Sequence, residues 1–468
     1  MALLRGEAKT RWGWLIFGLM LAGCQGPPQT DVTGQAARLT GIEGAISFRD
    51  KGRLPPAAAP SDGALTVDQA VRLALWHDPR IAAALARVRG AEADARQSRL
   101  LPNPILSFDI RFPEGGGEPI TEVIPTEDLV AILQKPAAIS AADNRLRESA
   151  SDAMTTVLDV VSEVETAYAS AQSSDTEITA AAERMSAAQK LRDLAQSRLA
   201  AGEGTRLDVL TLDSQRLQAR ADLSDLRLQR LEPRLELARL VGDPRGKADW
   251  TLEPWRPGPV AQGSETAWID AALANRPEIL SKLWELRALG DDVSLTNLSA
   301  LQGDMIGGYG ERDKTWTVGP MLTIPIPIFD VGNETRAKAV AQRDAARQEL
   351  AQQSSEVIEQ VRLAYATYAA ALDALRQAQG ELLPIQQQQR QQAEESYKSG
   401  DSDLTTLLQA QSDLQETRSK VAELEEKAAV ALVKLRRAVG GAGIAVTVQD
   451  SAPSTGPASR TDQTGTSP

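Results

Sequence analysis

The feature that most constrains this chain is that it repeats itself at one fixed spacing. A shift of 198 positions in the 468-residue sequence sets Ala74, Leu75, Pro79, Ile81, Arg89, Asp94 and Leu100 on Ala272, Leu273, Pro277, Ile279, Arg287, Asp292 and Leu298. Gly202 falls on Gly400 and Leu210 on Leu408, and near the end Leu226, Leu237, Arg239, Val241 and Gly242 fall on Leu424, Leu435, Arg437, Val439 and Gly440. A solenoid repeats roughly every 20–50 residues. Each copy here is the size of a whole domain, so the chain reads as a pseudo-dimer of one unit. Repeat 1 covers residues 61–243, a linker 244–263 and repeat 2 residues 264–441.

Each unit opens with a broken helix. Asp62 or Thr66 can cap the first, which runs to about Leu100, and Ser264 precedes the second, which runs to about Leu298. Pro79 and Pro277 interrupt both at the same place, because proline ends or kinks a helix. Strand-like segments follow. From Ile105 to Phe112, Leu106, Phe108, Ile110 and Phe112 alternate with Ser107, Asp109 and Arg111, the mark of a strand with one apolar face. A Pro/Gly-rich turn spans Pro113 to Pro119, and the apolar run Leu129 to Leu133 is the candidate second strand. In repeat 2 the strands are Gly303 to Gly310 and Thr315 to Ile328, with a charged turn from Glu311 to Lys314. Four strands cannot close a membrane barrel, and an open edge cannot face lipid.

A long helix follows each hairpin. Val357, Val361, Ala364, Tyr368, Ala371, Leu375, Ala378, Leu382 and Ile385 keep strict 4-3 spacing, as do Val157, Val160, Val164, Ala167, Ala171, Ser174, Ile178 and Ala181. Such a pattern marks a coiled-coil seam. As one helix, residues 333–398 would be about 100 Å long, with one kink at Pro384. Matched turns end both helices. Gly202 and Gly400 supply the left-handed residue, and Thr205 or Asp403 can cap the return helix that runs to Val241 or Val439.

Alanine, glutamine and leucine dominate, and aromatics make up only 4% of the chain, which suits long helices rather than bulky globular cores. The net charge of −12 without a basic patch argues against nucleic acid as a partner. One His and one Cys leave little for a zinc site and exclude an internal disulfide. No cofactor motif stands out, and Gly115-Gly116-Gly117 lacks the flanking strand, helix and Lys of a phosphate loop.

Residues 1–23 read as a signal peptide: Arg5, Lys9 and Arg11 precede an apolar run of 11 residues, Trp12 to Ala22, well short of the ~20 a spanning helix needs. The run ends in Leu21-Ala22-Gly23-Cys24, which resembles a bacterial lipobox. Cys24 would then become the lipidated first residue, and Gln25 after it lacks the Asp of inner-membrane retention. Residues 24–60, rich in Pro, Gly and Ala, read as an extended, lipidated tether, and residues 442–468 as a disordered tail.

Taken in order and duplicated, these motifs resemble a TolC-type outer-membrane efflux protein of the lipoprotein kind. The residues that carry the resemblance are Asp78-Pro79-x-Ile81 with Arg276-Pro277-x-Ile279, Leu101-Pro102-Asn103-Pro104, Ile326-Pro327-Ile328-Phe329-Asp330-x-Gly332, and the two glycine turns. The resemblance implies a mainly α fold with a small β part: a long coiled-coil helical barrel, plus four strands per chain contributing to a 12-stranded transmembrane β-barrel in a homotrimer. It implies a passive conduit in the outer membrane, reaching into the periplasm, that catalyses nothing. Its partners would be outer-membrane lipid, a periplasmic adaptor and an inner-membrane pump of the RND type. It places the periplasmic gate and adaptor contact at the turns, with Gly202, Asp208, Asp213, Gly400, Asp401 and Asp403 as candidates, Asp208 fitting an acidic ring. Thr406 and Gln409 of the second copy carry no charge, which departs from family members that use acids there. Asp208 reads equally well as a first-turn residue favoured by the helix dipole. The cargo would be metal ions or small toxic compounds. Two other readings stay open: a protein-secretion channel, and a coiled-coil scaffold lipoprotein with no channel.

Overall fold

The computed structural model describes residue 27 and residues 31–41, 64–255, 264–297, 304–312, 315–323 and 328–442. Cys24, the leader and the tail beyond residue 442 lie outside them. The chain is mainly helical with one small sheet.

Helix α1, Val32–Thr40, is capped by Asp31, whose carboxylate accepts from the Gly34 N–H, and it ends at Gly41 in the left-handed region. Val32 and Ala36 are buried and Leu39 packs on the same core. The extended reading of this stretch is therefore corrected: three apolar residues at i, i+4 and i+7 make one helix face, and that face docks.

Helices α2, Val67–His77, and α3, Pro79–Gln97, are separated by Asp78, which ends the first and caps the second through the Arg80 N–H. Thr66, not Asp62, is the cap of α2; it forms a capping box with Gln69. Strand β1, Ile105–Arg111, pairs antiparallel with β2, Ile120–Asp128. The apolar run Leu129 to Leu133, expected as a strand, is instead the start of α4, Leu129–Ala200. Asp128 decides this: its side chain accepts from the Ala131 N–H and starts the helix. The true second strand was masked by Glu122, Glu127, Asp128 and Pro125. The ladder from β2 to β3 skips Ile124 and Pro125, where a proline has no N–H to give.

Helix α4, 72 residues, is about 108 Å long at 1.5 Å per residue. The return helix of the first half is split into α5, Arg206–Gln229, and α6, Leu231–Leu240. Pro233 explains the break, since it cannot donate to the Gln229 carbonyl. Helices α7, Glu265–Asn275, and α8, Pro277–Thr296, repeat the helix, break, helix pattern around Arg276. Strands β3, Asp304–Arg312, and β4, Thr315–Thr323, complete one antiparallel sheet in the order β1-β2-β3-β4. Glu311 and Arg312 belong to β3 rather than to the turn, and β4 ends short of Ile328.

Helix α9, Asn333–Gln377, passes through a π-helical turn, Ala378–Leu382, into α10, Leu383–Ser399. The kink expected at Pro384 takes this form, because the proline removes one N–H and the preceding turn widens to an i→i+5 bond, Leu383 N–H to the Ala378 carbonyl. The extra residue rotates everything after it. Leu382 and Ile385, which the 4-3 pattern put in the seam, are exposed, while Leu383, Ala393 and Tyr397 pack inward. The final helix α11, Leu404–Val439, is unbroken, with Ala431 standing 198 positions after Pro233.

On the turn side, helices neighbour one another in the order α5, α4, α11, then α9 and α10; on the sheet side the order is α3, α4, α8, α9. Between them, Tyr168 fixes the centre: its hydroxyl lies 2.7 Å from the Leu65 and Glu253 carbonyls, beside the Leu65–Leu252 bridge. Each row has two open sides. Along α5 and α6, Leu207, Leu210, Leu217, Leu228, Leu231 and Leu235 are all more than half exposed, on a 3-4 spacing that Ser214, Ala221 and Ser224 complete.

Candidate functional site

The chemistry-bearing residues gather at the two turns. The first spans Arg198 to Leu210 and the second Ser396 to Leu408. Gly202 has φ +77° and Gly400 φ +83°, a region that favours glycine. Both close with the same hydrogen bonds: Glu203 N–H to the Arg198 carbonyl, and Asp401 N–H to the Ser396 carbonyl, each 2.9 Å.

The two turns sit side by side. Leu191 and Ala195 of α4, Leu212 of α5, Ala393 and Tyr397 of α10 and Leu407 of α11 form one buried cluster. Arg198 clasps it from outside. Its Nη1 donates to the Tyr397 carbonyl at 2.6 Å and its guanidinium lies 4.8 Å from the Tyr397 ring centre. Burial pushes the Tyr397 phenol above its usual range, and Arg198 opposes that shift. The glycine spacing that locates the turns does not reveal this link. The signal available was a mismatch in the repeat, because Arg198 pairs with Ser396 and Leu199 with Tyr397.

The acids of the turns are mostly engaged locally. Asp208 and Thr205 form a capping box: the Thr205 hydroxyl accepts from the Asp208 N–H and the Asp208 carboxylate accepts from the Thr205 N–H, both 3.1 Å. Asp403 caps α11, accepting from the Thr406 N–H and hydroxyl, and those bonds hold its carboxyl below the usual range. Asp401 accepts from the Ser399 hydroxyl at 2.8 Å. Asp213 pairs with Arg216 at 3.0 Å and faces Arg192 at 3.9 Å. Of these four acids only Asp213 has an ion pair among the described residues; Asp208, Asp401 and Asp403 are held by hydrogen bonds to neutral groups.

Strand β1 has a charged face and an apolar one. Asp109 and Arg111 lie on the same face of β1, and Arg111 bonds Asp109 at 2.9 Å and also Glu122 of β2. The opposite face presents Leu106, Phe108 and Ile110, all exposed. No described helix is long and apolar enough to cross a membrane, and no described cluster of His, Cys, Asp or Glu could hold a metal.

A family model described as outer membrane efflux protein matches residues 134–243 and 268–441, more than half of the chain. The alkaline protease secretion protein AprF of Pseudomonas aeruginosa is 28% identical over 242 residues, which is 48% of each chain; the chain thus matches about half the length of this curated relative. Among solved structures, the outer-membrane channel OprN superposes with a TM-score of 0.68 at 20% identity, over 90% of this chain and 98% of that one. The outer membrane protein VceC of Vibrio cholerae does so with 0.66 at 16% identity, over 80% and 96%.

Proposed function

Because the chain belongs to the outer membrane efflux protein family, we propose that it is the exit duct of a tripartite efflux system, closed by three copies. Such a channel is passive and catalyses nothing. The observation that carries the closed assembly is the open sheet. Among the described residues the outer sides of strands β1 and β4 are unpaired, and unpaired strand edges are not tolerated in lipid. Three copies give twelve strands, within the roughly 8–26 of bacterial barrels. The apolar faces of β1 would then meet lipid and the Asp109–Arg111–Glu122 face the water-filled interior.

In this reading the turns form the periplasmic gate and the adaptor contact, near Gly202 and Gly400. Asp208, Asp213, Asp401 and Asp403 line that end, and three copies of Asp208 make a ring that attracts cations. Lipidation at Cys24 and an RND-type pump complete the system. Metal ions or small toxic compounds are the cargo this reading favours. A protein-secretion channel is the second reading, supported by the name of the relative AprF.

Two measurements test this. Outer-membrane extracts should hold a heat-resistant oligomer that conducts in planar bilayers; a monomer without conductance would favour a scaffold. A deletion strain challenged with divalent metals, copper and a drug panel should lose resistance to one class. Unchanged resistance together with a lost secreted protein would favour secretion.

A further inference from the structure

The chain holds one junction between its two repeats and lacks the other. Within the chain, α4 of repeat 1 lies against α11 of repeat 2. Two side-chain links join them on the turn side: Arg418 Nη1 to Glu183 at 3.3 Å, and Ser170 Oγ to Glu426 at 2.6 Å. The missing junction would place α9 and α10 of one copy against α5 and α6 of the next. Its contacts follow from those observed by moving each residue into the other repeat: through 198 positions in the return helices and at the π turn, and through 197 in α9 before that turn, where Val160, Val164, Ala167, Ala171 and Ala181 match Val357, Val361, Ala364, Tyr368 and Ala378.

Moved in this way, Glu183 becomes Glu381 and Arg418 becomes Arg220. The charges are kept. Both residues are exposed, and among the described residues neither has an ion-pair partner within the chain. Ser170 becomes Thr367 and Glu426 becomes Leu228. Here the hydroxyl is kept and the carboxylate gives way to an apolar side chain. Leu228 is 68% exposed in the single chain, whereas Glu426 at the equivalent place is half-buried against α4. The third link, Arg437 to Asp159, keeps its charges, as Arg239 against Glu356, both exposed in the single chain.

Resting on the closed-ring reading above, we propose that Arg220 of one copy pairs with Glu381 of its neighbour, with Leu228 beside the neighbour's Thr367. The exposed leucine seam of α5 and α6 is thus covered by a second copy of this chain. Arg220 sits one position before the seam residue Ala221, a flanking site from which interhelical ion pairs set partner and register. Glu381 lies in the π turn, so that distortion also falls at the junction.

The full-length protein, purified from membranes, tests this. Arg220→Glu should lower the temperature at which the oligomer dissociates, and Arg220→Glu with Glu381→Arg should restore it. Arg220→Cys with Glu381→Cys and a short bismaleimide should give bands at multiples of the chain mass. Each single cysteine variant, with Cys24 present, should not. Glu183→Cys with Arg418→Cys should crosslink within one chain and leave the monomer mass. An intact oligomer by native mass spectrometry, with no ladder and no rescue by the charge swap, overturns the pairing and leaves the ring standing. Monomers alone, for the unmodified chain, overturn both.

Discussion

At the scale of single residues, the turns separate structural duty from function. The Asp208 carboxylate is held by the Thr205 N–H, so its first duty is to cap α5. Asparagine keeps an oxygen acceptor there and removes only the charge. Asp208→Asn should therefore leave the helix turn intact while reducing cation preference in planar-bilayer recordings; unchanged selectivity would reduce Asp208 to a cap. Arg198 has the opposite character. It binds one turn to the other through the Tyr397 carbonyl and ring, a charge-assisted hydrogen bond plus a cation–π contact. Arg198→Ala should cost about 1–3 kcal/mol locally. Amide hydrogen exchange should quicken at both residues 198–204 and 396–402, and acceleration at the first turn alone would mean that the clasp does not couple them.

At the scale of elements, what was legible in the sequence were features with a local cause. Proline breaks at Pro79 and Pro277, caps at Thr66, Ser264 and Asp403, and left-handed glycines at 202 and 400 each depend on a few neighbouring atoms. Features that depend on a partner were hidden. Strand β2 exists because β1 and β3 pair with it, despite Pro125. Helix α1 exists because a core receives Val32 and Ala36. The π turn lay between these cases: Pro384 announced a distortion but not its kind, and the strict 4-3 spacing concealed the rotation it causes. This rotation can be tested. Deleting Gly380 together with Pro384→Ala should convert the π turn to α-helix while keeping Ala393 and Tyr397 inward, with no loss of melting temperature. Deleting Ala182, 198 positions before Gly380, should turn Leu191 and Ala195 out of their cluster and cost several kcal/mol. Equal effects of the two deletions would mean that the π turn carries no extra residue.

At the scale of the whole molecule, the two repeats meet along the middle of α4, where Arg437 of α11 donates to Asp159. Glu165 lies there, facing Asp68 of α2 and Arg436 of α11. Burial pushes its carboxyl up to about 7 from an ordinary 4.5, against the pull of Arg436 and with the help of Asp68. Below pH 4.5 the group is protonated in folded and unfolded chains alike and has no effect on folding. As pH rises from 4.5 to 7 the unfolded chain releases its proton and the folded chain keeps it, so stability falls. Above 7 the full penalty applies, at most about 3 kcal/mol at roughly 1.4 per unit of displacement. Glu165→Gln removes this penalty. At fixed protein concentration, the variant should match the natural chain near pH 4 and melt higher near pH 8. Glu148, pushed to about 7 by burial beside Glu285 and Asp152, and Glu177, raised by burial and then by Glu426 and Glu423, should leave the variant some residual slope. The prediction fails if the two melting curves keep the same spacing at both pH values. In that case Arg436 already holds the Glu165 carboxylate charged, and the middle of the molecule is fastened by an ion pair rather than by a neutral acid.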